Sequence, residues 1–158
     1  MKIKMLYLTW DMIITLCERL ARKVVDYKPD VLVGVSRGGL VPVRLLSDLL
    51  ANSHVAIIKI EFYKKIGKTA DKPKITQKLN YNVKGKRVLI VDDVSDTGRS
   101  LIAARKHILS KKAREVRIAT LHYKPQSKLK PDYFVETTSA WLVYPWEINE
   151  TEREMKKK

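Results

Sequence analysis

The stretch Val88-Leu89-Ile90-Val91-Asp92-Asp93-Val94-Ser95-Asp96-Thr97-Gly98-Arg99-Ser100 decides the fold of this chain. Its first four residues are apolar and mostly β-branched, which predicts a strand buried on both faces. Two carboxylates, Asp92 and Asp93, follow at once, and Asp96 comes shortly after. From Gly98 the pattern changes. Leu101, Ala104 and Ile108 recur at helical spacing, with Ile102 and Leu109 beside them. The expected unit is strand, acidic loop, helix N-terminus.

A helix N-terminus presents unpaired N–H groups and the positive end of the helix dipole, which together suit a phosphate. Thr97 and Ser100 add hydroxyl donors there, and Gly98 permits close approach of the backbone. The carboxylates beside this cradle accept hydrogen bonds from vicinal hydroxyls or hold a divalent cation. The pattern therefore fits a ligand with a phosphate at one end and sugar hydroxyls next to it.

Outward from this stretch, strands and helices alternate. Met5 to Leu8 read as a short strand. Thr9 or Asp11 is placed to cap a helix whose apolar face is Ile13, Leu16, Cys17, Leu20, Val24 and Tyr27. Val31 to Val35 form a second apolar strand that runs into Ser36-Arg37-Gly38-Gly39, and Leu40 to Leu50 read as a helix. That is again strand, glycine loop, helix, with Arg37 able to supply charge if it points inward. Val55 to Ile60 are a third strand. Residues 62–86 are lysine-rich, contain Gly67 and Pro73, and show no sustained period, so they read as a loop. Beyond the central unit, Glu115 to Tyr123 and Tyr133 to Glu136 are strands. The tail from Asn149 onward reads as a frayed helix or as disorder. The alternation predicts one α/β domain over 1–158, an open and mostly parallel sheet flanked by helices. In such sheets ligands bind at the carboxyl ends of the strands, where both glycine loops fall.

Composition bounds the rest. At 158 residues, 45% hydrophobic and 31% charged, the chain is long enough and apolar enough for a real core. No apolar run reaches the length of a membrane span, and Trp10 and Asp11 interrupt the N-terminal apolar run, unlike a signal peptide. One cysteine, Cys17, leaves no internal disulfide and fits a reducing cytoplasm. It lies on the apolar side of its helix and reads as a small buried hydrophobe. Net charge is +15. An anionic partner is one reading, but most of these lysines read as solvated surface. His54, His107 and His122 are scattered, and none is placed for metal or nucleophile chemistry.

The central stretch resembles the phosphoribosyl pyrophosphate (PRPP) motif of the type I phosphoribosyltransferases. The likeness extends to Thr9-Trp10-Asp11-Met12, Ser36-Arg37-Gly38-Gly39-Leu40-Val41-Pro42, Lys124-Pro125, Trp141 and Pro145-Trp146, which are similar to bacterial xanthine-guanine phosphoribosyltransferases. The resemblance implies that Asp92 and Asp93 hold the ribose hydroxyls and that Asp93 touches a Mg2+ ion. Asp96 would stand on the purine N7 side, and Asp96, Thr97, Gly98, Arg99 and Ser100 would hold the 5′-phosphate. Ser36, Arg37 and Gly38 would hold pyrophosphate, with Lys124 on the purine 6-oxygen, Trp141 stacked on the base and Leu142 at its 2-position. A small C-terminal hood over about 124–148 would carry the base site, and a lid over about 62–86 would close on the reacting centre.

On that resemblance the expected activity is transfer of the phosphoribosyl group of PRPP to a 6-oxopurine (guanine, xanthine or hypoxanthine) in purine salvage. The implied enzyme is cytoplasmic and a homo-oligomer, dimer or tetramer, with neither membrane nor nucleic acid as partner. Phe62-Tyr63 stands where the family often has Ser-Tyr near the start of the lid, so the family's serine role does not carry over. Glu147 stands where these enzymes have aspartate, and the segment beyond it is shorter than theirs; both departures leave the preference at the purine 2-position open. Two rival readings are a PRPP-binding regulator of RNA or DNA and a phosphoribosyltransferase for another base. Without the resemblance, Lys124 reads as a surface lysine and Trp141 as core.

Overall fold

The computed structural model describes residues 4–63 and 72–157. Among these residues eight strands and four α-helices follow one another as β1 (Met5–Tyr7), α1 (Trp10–Val24), β2 (Val31–Ser36), α2 (Leu40–Leu49), β3 (Val55–Tyr63), β4 (Lys72–Gln77), β5 (Arg87–Ser95), α3 (Arg99–Ser110), β6 (Glu115–Tyr123), β7 (Tyr133–Thr137), β8 (Trp141–Val143) and α4 (Ile148–Met155). Six strands form one sheet in the order β4-β3-β2-β5-β6-β7. All neighbours in it are parallel except β3 and β4.

The two central strands are buried on both faces, as their unbroken apolar runs require. Leu32, Leu89 and Val91 face the helices α1 and α2, in a core with Ile13, Leu16, Leu20 and Leu46. Val31, Val33, Val88 and Ile90 face the other way, onto Leu101, Ala104 and Ile108 of α3. Cys17 is buried in the first of these cores. Thr9 caps α1 by accepting from the Met12 N–H at 3.2 Å. No helix among the described residues is long and apolar enough to cross a membrane.

Three local expectations change. Asp92 and Asp93 do not lie in a loop: β5 runs on to Ser95 because β6 keeps pairing with it, Val94 opposite His122 and Ser95 opposite Tyr123, after β2 has turned away. Part of the expected lid is sheet. β3 continues to Tyr63 and pairs antiparallel with β4, with Phe62 opposite Pro73 and Glu61 opposite Lys74. Periodicity missed this edge hairpin because it is held by backbone pairing with little side-chain burial, and Pro73 is tolerated on an edge strand. Residues 64–71 of that expected lid lie outside the described residues. The tail forms an ordered helix, α4.

The segment expected to form a hood is tied to the N-terminus of the chain. β8 pairs in parallel with β1, Met5 opposite Trp141 and Tyr7 opposite Val143. The Leu8 N–H donates to the Val143 carbonyl at 2.9 Å, so the N-terminal strand fixes the backbone that follows Trp141.

Candidate active site

The sheet presents its carboxylates at the end of β5. Asp92 and Asp93 are each only 9% exposed. Each is steadied by a neighbouring amide: the Asp93 N–H donates to Asp92 Oδ1 at 2.9 Å and the Val94 N–H to Asp93 Oδ1 at 2.7 Å. Burial, with the repulsion of Asp93 second, drives the Asp92 carboxyl well above the usual carboxylate range. Burial likewise pushes Asp93 up to about 6. A cation brought to this pair would favour the ionised form of both.

The β2–α2 loop lies directly against Asp93. A Cβ built on Gly38 would stand 2.5 Å from its carboxylate, so only glycine lets the loop come this close. Ser36, Arg37, Gly38, Asp92, Asp93 and Ser100 together line a cavity of about 450 Å³, whose far wall is Trp146, Glu147 and Glu150. The Ser36–Arg37 peptide is cis. Arg37 does not point at the carboxylates. Its Nη2 reaches both oxygens of Glu150 at 2.8 Å, tying the loop to α4 at the rim of the cavity.

The turn into α3 is the second cradle. Gly98 has φ +79°, and a Cβ there would stand 2.7 Å from the Leu129 amide nitrogen. The Arg99 N–H donates to Thr97 Oγ1 at 3.4 Å, and the Arg99 guanidinium lies 4.7 Å from the centre of the Phe62 ring. A loop after β6 buttresses this turn. The Lys128 N–H donates to the Thr97 carbonyl at 3.0 Å, and Ser95 Oγ donates to the Leu129 carbonyl at 2.8 Å. Of the four residues Thr97 to Ser100, Ser100 lines the larger cavity and the others shape the turn.

A smaller cavity of about 150 Å³ adjoins the first. Asp93, Asp96, Lys124, Trp141, Leu142, Tyr144 and Glu147 line it with Val94. Lys124 is 7% exposed, not a surface lysine, and Trp141 is 49% exposed, not core. Lys124 Nζ stands 3.4 Å from Asp96 Oδ1 and 5.6 Å from the centre of the Trp141 ring. A buried cation beside an open aromatic face and a carboxylate can bind a flat, polar heterocycle. Asp93 and Glu147 line both cavities and so mark where a ligand in one would meet a ligand in the other. The Tyr144 N–H donates to Glu147 Oε1 at 3.2 Å, and burial raises the Glu147 carboxyl.

The structure gathers most of the residues singled out from sequence around the two cavities, and three residues that hold these cavities were not singled out. Tyr144 is almost fully buried, stacks on Trp146 at 4.7 Å with the rings 7° apart, and donates its hydroxyl hydrogen to the Asp93 carbonyl at 3.2 Å. His122, assigned no role from sequence, is fully buried against that hydroxyl at 2.9 Å. Glu150 clamps Arg37. No motif signals these, although a lone histidine in the apolar run Ile118 to Tyr123 was a visible irregularity.

The phosphoribosyl transferase domain family matches residues 7–152. A crystal structure of a purine phosphoribosyltransferase from Pyrococcus horikoshii is 43% identical, covers 90% of this chain and 93% of its own, and superposes with a TM-score of 0.85. A hypoxanthine-guanine phosphoribosyltransferase from Streptococcus agalactiae is 32% identical over 80% of this chain and 72% of its own length. A xanthine-guanine phosphoribosyltransferase from Ruegeria sp. is 29% identical over 90% and 85% respectively.

Proposed function

The chain belongs to the phosphoribosyl transferase domain family, and from that premise we propose that it transfers the phosphoribosyl group of PRPP to a 6-oxopurine, guanine, xanthine or hypoxanthine, releasing pyrophosphate. The observation that carries the acceptor assignment is the buried Lys124 beside the exposed face of Trp141 and next to the carboxylate strand. An ammonium only donates, so it pairs with a 6-oxo group and not with the 6-amino group of adenine. The relatives named for xanthine, hypoxanthine and guanine support the same choice.

In this reading PRPP occupies the larger cavity. Ser36, Arg37 and Gly38 bind its diphosphate, and Asp92 and Asp93 accept hydrogen bonds from the ribose hydroxyls. The amides from Asp96 to Ser100 hold the 5′-phosphate. The purine lies in the smaller cavity on Trp141, with Lys124 on its 6-oxygen and the Leu142 backbone at its 2-position. The bond from a purine ring nitrogen to ribose C1 forms as the C1–oxygen bond breaks and the pair of electrons leaves on the diphosphate. Asp96, on the N7 side, takes up or steadies the proton that the purine gives up.

Among the described residues no cluster of three or more His, Cys, Asp or Glu forms a ready cage for an ion. The oxygen donors present suit Mg2+, which is commonly held by one or two carboxylates together with substrate phosphates. Asp93 is the residue we assign to it, and a bound ion would supply charge neutralisation and orientation for the diphosphate. The chain would work in the cytoplasm, which its single buried thiol fits, and as a homo-oligomer, which size-exclusion chromatography with light scattering would check. Turnover with PRPP, Mg2+ and a panel of guanine, xanthine, hypoxanthine and adenine tests the reading. Nucleotide from the 6-oxopurines but not adenine is expected, and preferential use of adenine would overturn it.

A further inference from the structure

The hood and the carboxylate strand are joined by a hydrogen-bonded chain that no substrate role requires. His122 in β6 is fully buried, and its Nδ1 is 2.9 Å from the Tyr144 hydroxyl. That hydroxyl has one hydrogen, which goes to the Asp93 carbonyl at 3.2 Å. With the hydroxyl hydrogen on that carbonyl, the His122 tautomer that bonds Tyr144 is the one that carries its hydrogen on Nδ1. His122 Nε2 has no hydrogen-bond partner among the described residues, and the nearest acid, Glu136, stands 3.6 Å away.

Phenylalanine at 144 would keep the stack on Trp146, and leucine at 122 would fill the same apolar site. Burying a hydroxyl and an imidazole instead is costly unless they are bonded, and they specify one arrangement when they are. The three elements they join carry the three parts of the site. The end of β5 bears Asp92 and Asp93, the end of β6 leads from His122 to Lys124, and Tyr144 follows Trp141 and Leu142. Tyr144 also lines the base cavity.

We propose that Tyr144, oriented by His122, is a positioning residue that fixes the spacing between the base cavity and the ribose carboxylates. The proposal rests on the phosphoribosyl-transfer reading. Each half-site keeps its own binding groups without this chain of bonds, so the loss falls on alignment. Misplacing reacting atoms by about 1 Å costs on the order of 10²-fold in rate.

The test compares Tyr144→Phe, His122→Leu, His122→Asn and the double variant Tyr144→Phe/His122→Leu in steady-state kinetics with guanine and PRPP. Guanine nucleotide binding, read by tryptophan fluorescence, and thermal melting accompany the kinetics. Tyr144→Phe should lower kcat by about 10–100-fold while both KM values and nucleotide affinity stay within about 3-fold. His122→Leu should match it. His122→Asn, which returns an N–H donor near the position of Nδ1, should recover most of the rate. The double variant should be no worse than Tyr144→Phe, because His122 acts through Tyr144. Wild-type kcat in Tyr144→Phe, a loss confined to KM, additive losses in the double variant, or no recovery in His122→Asn would each overturn the proposal. Should Tyr144→Phe fail to fold, the two His122 variants carry the test. A wild-type chain inactive with every purine would instead overturn the transfer reading itself.

Discussion

Lys124 Nζ and Asp96 Oδ1 stand 3.4 Å apart across the mouth of the base cavity, the lysine almost buried and the aspartate half exposed. The group assigned to the purine 6-oxygen and the acid assigned to its N7 side are thus one ion pair. A purine bound there would be read by both partners at once, so each partner's removal has a distinct signature.

Lys124→Ala should weaken use of every 6-oxopurine and narrow the gap to adenine. Sites that hydrogen-bond a substrate group can reject an analogue lacking it by about 10⁴-fold, so the selectivity at stake is large. Trp141→Ala should weaken all purines together, because base–aromatic stacking, worth roughly 1–3 kcal/mol, does not depend on which purine is bound. Comparing kcat/KM for guanine, hypoxanthine, xanthine and adenine in the three proteins checks both. Full selectivity in Lys124→Ala would remove that residue from base recognition.

Asp96→Asn keeps the shape of the turn into α3 and its amides but removes the proposed proton acceptor. Its kcat should fall by about 10²–10⁴-fold, the range for a positioned acid–base group. PRPP affinity, measured by calorimetry, should change far less. A variant with near wild-type turnover would take Asp96 out of the chemistry.

Glu150→Gln releases Arg37 from the clamp at the rim of the larger cavity. If the diphosphate and Glu150 compete for that guanidinium, KM for PRPP falls by about 2–5-fold, the scale of an exposed ion pair, and kcat is unchanged. The difference should shrink in high salt. A rise in KM would mean that Glu150 instead holds Arg37 ready for substrate.

Cys17 should be inert in the native protein. Burial pushes its thiol from 9.0 up to about 12, so the reactive thiolate is scarce at pH 8. The folded state holds this proton more tightly than the unfolded chain does. The resulting stability is whole below about pH 9 and is lost as pH rises through about 12. Alkylation followed by mass spectrometry should give no adduct at pH 8 until denaturant is added. Rapid labelling of folded protein would contradict the burial.

Much of the molecule was written locally in the sequence. The runs Val31 to Val35 and Val88 to Val91 could be buried only as central strands, and the helical spacing after Gly98 placed α3. The residues from Ser36 to Gly38 and from Asp92 to Ser100 are contiguous with those strands, so finding the strands also found the loops. Lys124 and Trp141 were different. Their local context reads as surface and core, and only likeness to a family separated them from those defaults. What the chain could not disclose by itself was decided by backbone pairing and by contacts between distant segments. β6 extends β5 past the point where β2 leaves, which turns Asp92 and Asp93 from loop acids into buried strand carboxylates. β1 pairs with β8 across almost the whole chain, and Arg37 meets Glu150 in the same way. The bonds that link His122, Tyr144 and Asp93 exist only once β5, β6 and the segment after β8 have converged. Propensity and periodicity act between near neighbours, whereas these partners are chosen by the closing of the sheet.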